Sequence, residues 1–409
     1  MSSTISARPL PVPREDVCPF GPAPEVAEVR TRTPVARVTC PTGIEAWLVT
    51  RYADAREVLG DSRRFSNRCG PAGHMLANMP PGVPVGEGDF SKMDGQDHVR
   101  FRRVFAPAVT TVRRIEEFRP MVRRTADELL DGLAAVSGPV DLHERFAKPL
   151  TSSVIAELLG VPYADRGMFQ CYAETMFDGR TGVNDLAAVR VALFGYVANL
   201  IRSRRVTPGE DALSVLVTRG QAHEKPFTDL ELTKMAAGLL AAGYDTTASA
   251  ITYGVLALLA DRSQFDRLAA DPSLAAGAAE ELVRLLGGGS GLMRVATVDT
   301  EIAGQPIAAG EYVVVAIQAA DHDPERFPEP ERLDIDRQAS GHMGFGYGPH
   351  QCVGQQIARL ELTTALATLP RRVPTLRLAV PQKEIRFKAD TTVYGPVALP
   401  VTWDEILPA

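Results

Sequence analysis

The chain has 409 residues, with 50 Asp and Glu against 44 Lys and Arg, for a formal net charge of −6. At 45% hydrophobic and 23% charged it has a globular composition, and it is long enough to bury about three quarters of its unfolded surface without a disulfide or metal staple. Collagen-like, disordered and small disulfide-rich classes are excluded, and the mild acidity argues against a general nucleic-acid binder, which carries a basic footprint.

The first 25 residues are proline-rich and irregular, with no apolar run of the kind that marks a secretory signal or membrane anchor. The five cysteines (Cys18, Cys40, Cys69, Cys171 and Cys352) show neither a disulfide framework nor zinc-ligand spacing. A cytoplasmic protein with no membrane partner is therefore expected. Residues 36–50 predict two short strands about a Pro-Thr-Gly turn, and Tyr52 to Leu59 a short helix. Residues 67–90 are dense in Gly and Pro, with Met75, Leu76 and Met79 between them. A loop that long inside a compact domain is usually functional.

From Asp97 to about Leu285 apolar residues recur at three- and four-residue spacing, predicting helices over 112–133, 150–159, 186–202 and 210–219. Residues 235–260 then run for 26 residues with Asp245 as the single side chain charged at neutral pH. As a helix this stretch spans about 39 Å, enough to cross a bilayer. Its Ala-rich composition, its isolation and its central Asp245-Thr246-Thr247 predict instead a helix buried in protein. A carboxylate and two hydroxyls in such a place are costly unless they have a task. A further helix is expected over 273–286. Strands follow at 298–302, 312–317, 384–387 and 397–402, with a coil from His322 to Gly348 and a helix over 354–369. The pattern is one domain, mainly α with small late β-sheets.

The most informative stretch is Phe345 to Gly354, FGYGPHQCVG. Glycines 346, 348 and 354 relax the backbone around Cys352, and Pro349 rules out a regular helix before it. A helix begins directly after, so Cys352 is expected near a helix N-terminus, where N–H groups favour a thiolate. Such a thiolate can ligate a metal or act as a nucleophile. An isolated cysteine is more often a small buried side chain, and the glycine frame argues against that here. F-x-x-G-x-x-x-C-x-G before a helix resembles the proximal loop of the cytochromes P-450, the haem-thiolate monooxygenases. The resemblance implies a long central helix over haem b, Cys352 as the axial iron ligand, and Phe345 and Gly346 beside the cofactor.

Other segments agree in the family's order. Ala242-Gly243-Tyr244-Asp245-Thr246-Thr247 resembles the family's A-G-x-D/E-T-T element. Ala242 and Thr246 are four apart and share a helix face, where a small residue leaves room for a flat cofactor. The resemblance implies that Ala242 and Gly243 meet the haem, that Thr246 donates to bound oxygen and that Asp245 relays protons. A threonine bonded back to its own helix would explain the hydroxyls equally well, though not the carboxylate. Glu281 and Arg284 form E-x-x-R, which in the family joins an arginine of a later P-E-R segment to brace the cysteine loop. Of Arg326 and Arg332, the second stands at the expected distance and is selected. His98 and Arg102, four apart, with Arg294 and His350, match the donors for the haem propionates, although each in isolation reads as a surface cation.

The resemblance also implies a substrate pocket drawing on Met75, Leu76, Met79 and Leu239, together with Ala242, Leu292, Met293 and Tyr394. Gly287-Gly288-Gly289 is expected to loosen its wall. Dioxygen would be activated with electrons from a ferredoxin and ferredoxin reductase, to hydroxylate or epoxidise an apolar-to-amphipathic small molecule. The C-terminal pattern, ending Leu399-Pro400-Val401-Thr402-Trp403, resembles actinobacterial members that tailor polyketides and other secondary metabolites. Oxidative coupling or peroxide-driven oxidation at the same haem is the alternative, against which the Asp245-Thr246 pair argues. The arginines at 100, 103, 113, 114, 123 and 124 read either as solvated helix faces or as a docking site for an acidic ferredoxin. A monomer is expected.

Overall fold

Strand β1 (Arg8–Pro9) and helix α1 (Pro24–Arg32) precede the antiparallel pair β2 (Val35–Thr39) and β3 (Glu45–Val49), the two strands expected there. The computed structural model describes residues 8–9, 19–40, 43–69, 89–178, 180–287, 291–388, 391 and 393–409. Met75, Leu76, Met79, Gly288 and Gly289 lie outside the described residues. α2 (Tyr52–Gly60) and β4 (Phe65–Ser66) lead to α3 (Gly95–Val109) and α4 (Val112–Ala134). β5 (Val140–Asp141) and a π-helical turn at His143–Ala147 then run straight into α5 (Lys148–Leu159). α6 (Arg166–Phe177), α7 (Val183–Val206) and α8 (Ala212–Gln221) complete the layer beside the central helix.

That helix, α9 (Asp229–Ala260), has 32 residues, a length of about 48 Å. It starts earlier than its apolar run because Thr228 and Glu231 close a capping box, satisfying two orphan N–H groups of the first turn. Arg100 of α3 grips the same glutamate at 2.7 Å. α5, α6 and α7 pack along α9, which is apolar all round because it is encased. One helix among the described residues, Asn184–Val206, is long and apolar enough to cross a membrane. It too packs against α6, α8 and α9.

After α9 come α10 (Arg262–Ala270) and α11 (Ala275–Leu286). β6 (Leu292–Ala296), the hairpin β7 (Thr300–Ile302) and β8 (Gln305–Ile307), and β9 (Tyr312–Val315) follow. Six strands form one sheet in the order β1-β2-β3-β9-β6-β4, in which β3 and β9 run parallel and Arg294 of β6 pairs with Val313. α12 (Ile317–Asp321) and α13 (Gln355–Arg372) bracket the long coil. β10 (Arg377–Leu378) and β11 (Pro400–Thr402) join β5 in a second small sheet. The strand expected at 384–387 is not formed. A short helical turn occupies Gln382–Glu384, and Phe387 makes an isolated bridge to Pro396.

Candidate active site

Within buried α9, the exposed positions of its middle are Gly238, Ala242 and Thr246. They recur every fourth residue and so form one exposed stripe of small side chains. The Thr246 hydroxyl donates to the Ala242 carbonyl, the local bond open to any helical threonine. The neighbouring stripe is Leu239, Gly243 and Thr247. With Ile155 of α5 and with Gly354, Ala358 and Glu361 at and within the start of α13, it borders a small recess between α9 and the Cys352 helix. A Cβ on Gly243 would stand 2.9 Å from the Ile155 Cδ1, the movable end of that side chain. Leu239 is three residues from Ala242 and Gly243 three from Thr246, so the two stripes adjoin on one side of the helix.

Asp245 is 4% exposed and faces a third direction. Lys388 Nζ stands 3.5 Å from its Oδ1 and 3.0 Å from Ser249 Oγ. Burial pushes the Asp245 carboxyl up, and Lys388 opposes that as the largest countering influence.

Opposite the α9 stripe, the Cys352 N–H donates to the Phe345 carbonyl at 2.8 Å, closing the loop before α13. Gly348, at φ +74°, carries no Cβ where one would strike the Leu59 carbonyl. Cys352 has accessible surface although protein encloses it on most sides. Burial raises its thiol above the ordinary value, while the Gly354 and Gln355 N–H groups and the Arg102 and Arg359 charges work against that rise. The helix N-terminus thus favours a thiolate as expected, but burial outweighs it in the protein alone.

The loop is braced from behind. Glu281 and Arg284 are fully buried and paired at 2.7 Å, and Arg284 also donates to the Asp321 and Pro330 carbonyls. The third member is Arg337, whose Nε donates to Glu281 at 3.1 Å. Arg332 is the expected partner, but it is exposed and pairs with Glu329 at 3.6 Å, so the assignment moves to Arg337. A second brace was not anticipated. Glu280 joins Arg359 at 2.6 Å and His342 at 3.1 Å, and Arg359 lies over the Phe345 ring. Although burial opposes it, these partners pull the Glu280 carboxyl down to about 2.

His98, Arg102, Arg294 and His350 converge at one edge. The His98 and His350 rings lie 4.1 Å apart, and Arg102 is close enough to Cys352 and His98 for their charges to interact. Arg294 donates to Asn67 Oδ1 at 2.8 Å, and Asn67 Nδ2 lies 3.5 Å from His350 Nδ1. Burial, then the nearby His350 and Arg102 charges, lowers His98 to about 4. Asp94, 3.1 Å from His350 Nε2, is brought to about 2 by its hydrogen bonds despite burial. Leu292 points towards the loop, since a Cβ on Gly346 would lie 3.7 Å from its Cδ1. Strand alternation sends Met293 the other way, into the cluster of Val38, Leu48, Cys69 and Val314. This corrects its expected place in the pocket.

Comparison with known proteins fits this arrangement. The family model described as Cytochrome P450 matches residues 181–376. The chain is 41% identical to Cytochrome P450-SU2 of Streptomyces griseolus over 396 residues, 96% of each sequence. It is 38% identical to mycinamicin IV hydroxylase/epoxidase of Micromonospora griseorubida, covering 97% of this chain and all of the relative. A crystal structure of CYP105P1 in complex with filipin I superposes with a TM-score of 0.90 at 41% identity, covering 98% of this chain and 99% of that one. The chain belongs to the cytochrome P450 family.

A P450 carries haem iron, and the residues present fit it. A small-residue stripe on α9 and a thiol beyond it suit a flat macrocycle. Two arginines and two histidines at the edge suit its carboxylates. The P450 fold, mainly helical with small sheets, is shown by the same superposition, and the chain is accordingly a haem monooxygenase that uses dioxygen and an external electron supply. Five of the six arginines of the basic region are ion-paired: Arg100 with Glu231, Arg113 and Arg114 with Glu117, Arg123 with Asp127, and Arg124 with Glu128. Much of that region's charge is therefore offset locally. Glu361 was missed in the sequence because an acid in a helix reads as surface. It is fully enclosed and its carboxyl is pushed far up by burial, against a hydrogen bond from Thr247.

Proposed function

We propose that Cys352 Sγ would bind the iron of haem b, and that His98, Arg102, Arg294 and His350 would hold its propionates. The observation that carries this reading is the grouping of two arginines and two histidines about the Cys352 loop, at a recess that reaches α9. Bound haem supplies the activation of dioxygen. The chain's own residues keep the site dry, orient the substrate and handle protons. The small, exposed Ala242 would leave room for the group. The Thr246 hydroxyl, released from the Ala242 carbonyl, can donate into the recess, and Asp245 can carry protons to it from the Lys388 side.

The substrate is an apolar-to-amphipathic small molecule, hydroxylated or epoxidised, and a secondary metabolite such as a polyketide. Relatives named pentalenic acid synthase and mycinamicin IV hydroxylase/epoxidase support that class. Leu292 and the half-buried Tyr394 are its candidate contacts among the described residues. Electrons come from a ferredoxin and its reductase. The protein works as a cytoplasmic monomer and a single domain. The test is the spectrum of the reduced protein under carbon monoxide. The wild-type protein should give a strongly red-shifted Soret band, and Cys352→Ser should bind haem without that shift. A red-shifted band that persists in Cys352→Ser overturns the ligand assignment.

A further inference from the structure

Asp245 is buried in α9, yet the cation that meets it belongs to neither α9 nor its packing helices. Lys388 lies on the C-terminal segment, where Phe387 bridges Pro396 and the Lys388 N–H donates to the Gly395 carbonyl at 2.9 Å. On the returning side Tyr394 stacks on Phe387, with ring centroids 5.2 Å apart and planes at 15°. The side chain facing Asp245 and the candidate substrate contact are thus tied together by the Phe387–Pro396 bridge, the Lys388–Gly395 hydrogen bond and the Phe387–Tyr394 stack. The Lys388 side chain is 21% exposed and that of Asp245 5%, so the lysine stands between the acid and solvent.

The other charges around this acid offset one another. Lys148 of α5 and Glu174 of α6 both act on Asp245, but they are bonded to each other at 2.8 Å. Glu144 takes a second bond from Lys148 at 2.6 Å, and the Tyr244 hydroxyl donates to Glu174 at 3.1 Å. His143 faces Lys388 from the π-helical turn, and its Nδ1 lies 2.8 Å from Thr252 Oγ1. Burial keeps that imidazole neutral, with its value down at about 3. Lys388 is therefore the charge whose removal changes the balance at Asp245.

We propose that Lys388 is a positioning residue for Asp245, holding the carboxyl towards the C-terminal segment and biasing it to its ionised form, so that proton supply depends on where that segment sits. A substrate that presses on Tyr394 moves the same backbone and loosens the Lys388 contact. The acid then regains its proton and turns towards the recess. The proposal rests on the reading of Asp245 as proton carrier, and its test separates the two.

The first readout needs no substrate. In the haem-loaded protein, the infrared band of a protonated carboxyl that disappears in Asp245→Asn is followed against pH. Lys388→Met should raise its midpoint by about one to two pH units, the usual effect of losing an adjacent opposite charge, and Lys388→Arg should restore it. An unmoved midpoint in Lys388→Met overturns the proposal. The second readout is peroxide released per electron consumed, using a plant-type ferredoxin and its reductase as the electron source. Its pH profile should shift with Lys388→Met, and the shift should vanish when Asp245→Asn is also present. A shift that survives in the double variant means that Lys388 acts elsewhere and overturns the proposal. If the infrared midpoint moves while Asp245→Asn leaves the peroxide ratio unchanged at every pH, the contact stands. In that case the proton-carrier reading fails, and the coupling proposed on it fails too.

Discussion

The cysteine side of the recess and its α9 side are held in opposite ways. Behind Cys352 stand two sets of ion pairs. Glu281 with Arg284 and Arg337 forms one, Glu280 with Arg359 and His342 the other, and most of these groups also bond backbone carbonyls or N–H groups. On the α9 side, Thr246 is bonded to its own helix and Asp245 meets one lysine at 3.5 Å. The difference follows from what each side must do. A ligand to a fixed metal needs a single geometry, which redundant buried contacts enforce. A group that moves protons needs two geometries, which redundancy would prevent.

The comparison can be broken most forcefully at Arg284. Arg284→Ala leaves Glu281 buried without its main partner, and breaking such a pair costs about 3–5 kcal/mol. Denaturant unfolding of the haem-loaded protein should show that loss together with poor haem retention. A loss under about 1 kcal/mol would mean that Arg337 alone suffices, a magnitude normally associated with exposed pairs. Glu361 tests the seam where α13 meets α9. Its folded value is raised, so between an unfolded value of about 4.5 and that higher folded value the native chain holds a proton the unfolded chain has lost. Stability therefore falls as pH rises through that window. Glu361→Gln removes the dependence and should stabilise the protein by about 1–3 kcal/mol at neutral pH, and less near pH 5. Melting temperatures of both proteins at the two pH values check it, and a gain that does not grow with pH contradicts it. The smallest effect belongs to Arg332. Arg332→Ala should change stability by less than about 0.5 kcal/mol, while Arg337→Ala costs clearly more in the same unfolding assay.

Much of this was legible in the chain. Periodicity marked α4, α5, α7 and α13 to within a few residues, since their buried faces repeat at helical spacing. The cysteine loop was legible because its glycines and proline are demanded by the backbone itself. Direction was harder. Met293 is one step from Leu292, and one step reverses a strand side chain. Arg337 could not be told from Arg332, because the coil around them has no period to say which arginine turns inward. Lys388 was invisible for another reason, as it meets Asp245 across 143 residues of sequence.

Gly243 carries one more consequence. α5 rests against α9 at a point where a methyl group would meet the tip of the Ile155 side chain and turn it aside. Gly243 and Ile155 both border the recess, so any side chain added there would take its room from that space. One absent methyl group thus helps to set how large a guest the protein admits.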